Sequence, residues 1–170
     1  ICMNYFVIED YEAVIPCIET LLKMLSSLGY QNIMVCNTAK LYGMLAISYF
    51  HLQDFYNTHH FLGMMRLHMN QFSSENEQID YKYWEEELFL SHYIRAILYE
   101  YENNMEACQK ELGLAYQFLW LLPGTIFYTY SLYTVAQANL YEKIGEFQKR
   151  EQVLNEAITY YKKQGFMFCA

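Results

Sequence analysis

ANLYEKIGEF, residues 138–147, decides the fold of this chain, because its pattern of a small residue, a tyrosine and a turn returns three more times. The other copies are CMNYFVIEDY at 2–11, AISYFHLQDF at 46–55 and AILYEYENNM at 96–105. Tyrosine follows the small residue by three positions, and an aromatic or large apolar residue follows the tyrosine by six. The steps between copies are 44, 50 and 42 residues. Repetition at this spacing predicts a solenoid of helical hairpins, which offers a binding surface more often than a catalytic site.

The composition indicates one folded, helical domain over residues 1–170. Hydrophobic residues make up 54% and charged residues 18%, which excludes a disordered chain. Glycine (7) and proline (2) are scarce, as expected of long helices with few tight turns. The net charge of −8 and the scattering of the 11 basic residues argue against direct nucleic-acid binding.

Apolar residues recur at helical spacing between turn signals, which predicts about seven helices in antiparallel pairs. The predicted helices run from Tyr11 to Ser27, Asn37 to Leu52, Phe55 to Phe72, Asp80 to Tyr101, Met105 to Leu122, Thr125 to Ile144 and Phe147 to Gln164. A polar loop is expected at Ser73–Glu77, and Gly29 and Gly165 are expected to end their helices.

Both ends of the chain carry apolar residues beyond these helices. Ile1–Ile8 is expected to be the end of a preceding helix, and Phe166–Phe168 the beginning of a following one. The chain is therefore interpreted as a slice of a longer array.

One segment has the length of a membrane span. Leu112 to Tyr141 carries no charged residue over 30 positions. Pro123 and Gly124 split the segment in the middle, and Gln117 interrupts its first half. Two buried helices that meet at a turn are therefore predicted, and no membrane contact.

The cysteine pattern favours the cytoplasm. Five cysteines form no CxxC pair and leave an odd one over. We expect reduced, partly buried thiols rather than a disulfide framework.

The four units resemble tetratricopeptide repeats. The best match has Ala138, Tyr141, Gly145-Glu146-Phe147, Leu154 and Ala157. That family usually repeats at about 34 residues, so these units are long. The resemblance covers nearly the whole chain and implies an all-α, right-handed α-α superhelix with units at about 1–28, 37–72, 79–122 and 124–165.

The resemblance also implies a function. Gln53 and Asn103 stand where the family has a turn glycine, and such long, degenerate units are similar to those of bacterial regulators. A regulatory or sensory domain is expected, one that binds a peptide or protein segment within a larger bacterial cytoplasmic signalling or transcription-regulatory protein. No cofactor is expected.

In this family, first-helix residues that point away from the second helix line an inner groove. The resemblance implies a groove lined by Met44, Ile47, Phe50, His51, Tyr93, Ile97, Tyr101, Val135, Asn139 and Glu142. Such a groove is apolar and edged by tyrosine, which favours an apolar peptide or an amphipathic helix. Asn139 is the first choice for a contact to a peptide backbone, because its amide can donate and accept at once.

Two other interpretations of these residues are a carboxylate clamp and a packing surface. Only Lys40 and Asn139 resemble the carboxylate clamp of the family's chaperone-binding members, so a clamp is not expected. An apolar groove serves equally well for packing against neighbouring repeats or a second copy. A structural module that self-associates as a homodimer is therefore the alternative function.

Signals for catalysis and metal binding are weak. The sequence has no Gly-rich phosphate loop, no GxSxG and no HExxH, so no enzyme is expected. The Glu85-Glu86-Glu87 run is interpreted as a solvated helix face. His60, Met64 and His68 share a helix face, but two turns separate the histidines by about 12 Å, too far for both to bind one metal ion.

Overall fold

The chain is helical throughout the part that the computed structural model describes, residues 9–29, 35–75, 84–119 and 126–165. Within these ranges there are seven helices and no strand, which confirms the all-α class. The helices are α1 (Tyr11–Ser27), α2 (Val35–His51), α3 (Phe55–Glu75), α4 (Glu85–Tyr101), α5 (Met105–Leu119), α6 (Ile126–Lys143) and α7 (Phe147–Lys163). The expectations for Ile1–Ile8, Pro123-Gly124 and Phe166–Phe168 lie outside the described residues.

The predicted helix boundaries agree with the structure to within a few residues, with one clear error. The loop predicted to begin at Ser73 is wrong, since α3 continues to Glu75. No glycine or proline stands in this stretch to stop the helix, and a polar sequence alone does not end one. Gly29 and Gly165 follow α1 and α7 with φ of 68° and 84°, as expected of residues that end a helix.

The chain divides into two compact units, Ile1–Ile94 and Arg95–Ala170, with the boundary inside α4. In the first unit, α2 packs most extensively against α3 and also contacts α1. In the second unit, α6 packs against both α5 and α7. The sequential pairing predicted from the repeat is thus present within each unit.

One turn geometry joins the helices of each hairpin. The N–H of Asp54 donates to the carbonyl of Tyr49 at 2.9 Å, and the N–H of Gln53 donates to the carbonyl of Phe50 at 2.9 Å. This double hydrogen bond is a Schellman motif, which satisfies carbonyls that the helix end leaves without partners. The same pair of bonds closes the turns at Asn103-Asn104 and Gly145-Glu146.

The residue that ends each turn also begins the next helix. Side-chain oxygens of Asp10, Asp54 and Asn104 accept the N–H three residues onward, at 3.1 to 3.2 Å. Such capping bonds satisfy free N–H groups at a helix start. Glu146 occupies the equivalent position without a side-chain capping bond.

The small residue of the repeat is buried wherever the structure describes it. Ala46, Ala96 and Ala138 are 0%, 0% and 5% exposed. Gly43 marks a still closer approach, because a Cβ there would lie 3.2 Å from Met65 Sδ and 3.3 Å from Leu90 Cδ1. Small side chains at these positions let the helices pack closely.

Ion pairs tie the helices of the second unit together. Arg95 Nη2 on α4 lies 3.0 Å from Glu111 Oε2 on α5. Lys143 on α6 contacts α4. Its Nζ lies 3.2 Å from Glu100 Oε1 and donates a hydrogen bond to the Glu100 carbonyl at 3.0 Å. These partly buried pairs fix how α5 and α6 lie against the end of α4.

The acidic first turn of α4 is not the solvated face that the sequence predicted. Glu86 pairs with Lys40, and Glu87 is only 4% exposed. Burial raises the pKa of Glu87 from 4.5 to about 7. A carboxylate removed from water is costly unless it is paired, so the folded chain favours the protonated form of Glu87.

We expect Gln53→Gly to stabilise the chain. Gln53 has φ of 61°, in the left-handed region that disfavours residues with a Cβ, and its side chain is exposed. Removing the Cβ relieves strain, and the free energy of unfolding in urea should rise by about 0.5 to 1 kcal/mol. Gly145→Ala is the matched control, with φ of 78°, and should lose a similar amount. A loss of stability in Gln53→Gly would contradict this account of the turn.

Glu87→Gln should stabilise the chain at high pH only. The folded-state pKa lies above the unfolded value, so stability is lost as the pH rises from about 4.5 to 7. The variant should therefore gain up to about 3 kcal/mol in unfolding free energy at pH 8 and almost nothing at pH 4. Chemical denaturation at both pH values measures this difference. Glu85→Gln, in the same turn but less buried, controls for the loss of one charge near the helix N-terminus.

Candidate functional site

Four of the predicted groove residues belong to the core. Met44, Ile47, Tyr93 and Ile97 are 2%, 0%, 4% and 5% exposed. Side chains this deeply buried offer little surface to a ligand, and none of the four lines the hollow that opens on α6. Their apolar character, read from the sequence as a binding surface, serves helix packing in the structure.

Of the next two predicted residues, Phe50 is half-buried, and His51 is exposed but contacts α1. The ring of His51 stacks on Tyr11 with centroids 4.5 Å apart and an angle of 2° between the ring planes. Burial lowers the pKa of His51, which favours the neutral ring in this stack. Phe50 packs edge-on against both His51 and Phe55.

The remaining predicted residues are exposed. Tyr101 lies at the end of α4, and Val135, Asn139 and Glu142 share one face of α6. Glu142 Oε2 lies 3.4 Å from Arg150 Nε on α7. Two hollows in the described part of the chain, both lined in part by α7, include none of Val135, Asn139 and Glu142 in their lining.

A hollow of about 470 Å³ opens on another face of α6, between α5 and α7. We call it the tyrosine groove. Its lining consists of Gly113 and Tyr116 from α5, Tyr133, Gln137 and Tyr141 from α6, and Lys149, Gln152, Val153 and Glu156 from α7. This volume falls in the range of ligand pockets.

The groove residues of α6 lie opposite the residues predicted from the repeat. Tyr133, Gln137 and Tyr141 follow one another at intervals of four. At 100° per residue, their face is turned by about 170° from the face of Val135, Asn139 and Glu142. The predicted helix therefore carries the groove on the face that the prediction assigned to packing.

A missing side chain helps to form the groove. Gly113 lies in the middle of α5, and a Cβ added there would meet no atom within 4 Å. Beside it, the rings of Tyr116 and Tyr133 lie 5.5 Å apart at an angle of 40°. The groove thus has an open backbone patch next to two aromatic rings.

Tyr133 keeps its hydroxyl proton at physiological pH. Burial raises the pKa of Tyr133, and the nearby hydroxyls of Tyr116, Tyr141 and Tyr130 raise it further. A neutral phenol can donate a hydrogen bond and accept one. The cluster therefore offers hydroxyls and ring faces together.

The groove carries one charge near each end. Lys149 Nζ lies 3.5 Å from Glu146 Oε2 and 5.9 Å from the centre of the Tyr141 ring. Two helical turns further along α7, Glu156 Oε1 accepts a hydrogen bond from Gln152 Nε2 at 2.8 Å. The amide groups of Gln137 and Gln152 belong to the same lining.

None of the nine residues that line this groove is among the groove residues predicted from the repeat. Only the isolated Gly113 in a helical segment and the i, i+4, i+8 spacing of Tyr133, Gln137 and Tyr141 could have indicated it. An isolated glycine inside a predicted helix often has a packing or functional reason. The contribution of α7 depends on how that helix packs against α6, which local spacing does not define.

The histidine stripe does not form a metal site in the structure. His60 is exposed and packs on Phe61, while His68 packs edge-on against Tyr42. Across residues 9–29, 35–75, 84–119 and 126–165, no three His, Cys, Asp or Glu residues are grouped to hold a metal ion.

The cysteines differ from the expectation at one position. Cys108 is a free, buried thiol, and burial raises its pKa to about 11. Cys17 is disulfide-bonded, which contradicts the expectation of reduced thiols throughout.

The described helices include none that is long and apolar enough to cross a membrane. In comparisons with protein-family models, curated proteins and solved structures, the chain matches none of them. The groove must therefore be interpreted from its own geometry.

Proposed function

We propose that this chain is a protein-recognition domain, and that the tyrosine groove binds a short extended segment of a partner polypeptide. The observation that supports this proposal is the lining of the groove. Three tyrosines, two glutamine side chains and a glycine border a volume of about 470 Å³. Tyrosine provides a large contact area at a small cost in side-chain entropy. The glutamine amides can donate to and accept from a peptide backbone.

A binding role fits this lining better than a catalytic one. The nine groove residues include no serine, threonine, cysteine or histidine, so the groove lacks the usual nucleophile and base pair. The raised pKa of Tyr133 makes its hydroxyl a poor nucleophile at neutral pH. The groove provides contacts, and a reaction would need groups from elsewhere.

The wider role follows from the repeat resemblance. We propose that the helices form a tetratricopeptide-like array that serves as a regulatory or sensory module of a larger bacterial protein. The free thiol of Cys108 supports a cytoplasmic location. The disulfide of Cys17 opposes it, because disulfides persist mostly in oxidising compartments.

Gly113→Leu should abolish peptide binding without damage to the fold. A leucine fills the open space over α5, and replacing a helical glycine should raise stability by about 0.5 to 1 kcal/mol. The probe is a random nonapeptide library displayed on phage and selected against the chain, followed by affinity measurement on the enriched peptides. We expect at least a tenfold loss of affinity, about 1.4 kcal/mol.

The chain offers two matched controls for this experiment. Gly63→Leu adds the same side chain at an exposed, uncrowded helix position outside the groove and should leave affinity unchanged. Gln137→Ala and Asn139→Ala compare the two faces of α6, and only the first should weaken binding. Equal binding by Gly113→Leu and the parent chain would refute the groove as the site.

Self-association is the second proposed function, and one observation on α1 favours it. Leu21 and Met24 on this helix and Leu28, which follows its last residue, are 36%, 55% and 61% exposed. Their spacing of three and four residues forms a continuous apolar stripe. A second copy of the chain could cover such a stripe.

If α1 mediates a dimer, Met24→Glu should dissociate it. Light scattering coupled to size-exclusion chromatography over a concentration series measures the mass. We expect a dimer for the parent chain and a monomer for the variant, because a charge within a buried apolar contact is costly. A parent chain that stays monomeric at all concentrations would exclude this function. Lys23→Glu, at an exposed neighbouring position, controls for the added charge.

A further inference from the structure

Glu156 is the acidic side chain in the lining of the tyrosine groove, and it is hydrogen-bonded to the amide of Gln152. Its carboxylate accepts a hydrogen bond from Gln152, and no basic side chain of the described residues lies within 4 Å of it. The acidic residues nearer the start of α7 differ, since Glu142 pairs with Arg150 and Glu146 with Lys149. The groove thus presents one carboxylate that forms no ion pair with any of the described residues.

Aromatic rings lie close to this carboxylate. Tyr160 lines a second hollow together with Glu156 and Lys163, and the rings of Tyr130 and Tyr160 have centroids 4.7 Å apart. The negative charge of Glu156 adds to burial in raising the pKa of Tyr130. Ring faces attract cations through their quadrupole, so carboxylate and rings favour the same kind of ligand group.

The positive charge of the groove is already engaged at the other end. Lys149 lies near Glu146 and the ring of Tyr141. It precedes Glu156 by seven residues, about 10.5 Å along the helix axis. A cationic group on a ligand would therefore meet repulsion near Lys149 and attraction near Glu156.

We propose that the partner segment carries an arginine, and that its guanidinium pairs with Glu156 beside the tyrosine rings. This inference rests on the proposed peptide-binding function and specifies its ligand. Arginine fits better than lysine, because its planar guanidinium stacks on aromatic rings and forms two parallel hydrogen bonds with a carboxylate. Net charge supports the same choice, since the chain carries −8 and attracts basic segments.

The test uses acetylated hexapeptide mixtures whose third position is fixed as arginine or as citrulline, with the other positions randomised. Citrulline keeps the shape of arginine and lacks its charge. Apparent affinities are measured by competition against a fluorescent arginine mixture. We expect the arginine mixture to bind the parent chain about tenfold more tightly than the citrulline mixture. Glu156→Gln should reduce this ratio to about one.

Glu151→Gln is the control variant, because it removes the same charge from an exposed position of α7 outside the groove. It should keep the parent ratio. If it lowers the ratio as much as Glu156→Gln does, the preference comes from net charge and the inference is overturned. Both positions are exposed, and circular dichroism melting checks that both variants remain folded.

The remaining outcomes separate this inference from the proposed function. Equal binding of the two mixtures, still blocked by Gly113→Leu, would overturn the arginine inference and leave the groove as a peptide site. Binding of neither mixture at millimolar concentration, together with a failed phage selection, would overturn both.

Discussion

Each described hairpin depends on one hydrogen bond, in which the N–H of the residue that begins the second helix donates to a tyrosine carbonyl in the first. The bond measures 2.9 Å at Asp54, 2.8 Å at Asn104 and 2.8 Å at Glu146. It requires the preceding residue to adopt a positive φ, and Gln53, Asn103 and Gly145 do so at 61°, 62° and 78°. Because this geometry reverses the chain within a few residues, the following helix packs directly against the one before.

Close packing of these hairpins explains why so many predicted binding residues lie in the core. Buried alanines and Gly43 bring the helices near each other, so large side chains beside them are covered as well. Ile47 and Tyr93 illustrate the effect, since both are buried where the repeat resemblance implied an open surface. The apolar face of a long helix can be buried or exposed, and only the placement of the neighbouring helices decides which.

The tyrosine groove arises where this packing is incomplete. Gly113 leaves the surface of α5 open, and the rings of Tyr116 and Tyr133 border the gap. Lys149 and Glu156 come from α7, whose spacing along the chain gives no hint that they share a hollow with α5. The proposed peptide site lies where α5, α6 and α7 come together.

The sequence by itself determined the helices, the turns and the buried small residues. These features are local, since a Schellman turn and a capping bond involve residues within six positions of each other. It also predicted groove side chains on α6 and assigned them to the face of Asn139. Tertiary structure alone decided that the face of Tyr133 and Gln137 borders the groove. The physical reason is that the exposure of a helix face depends on the helices that pack beside it. The periodicity of one helix shows which residues share a face, but it does not show which face a neighbouring helix covers.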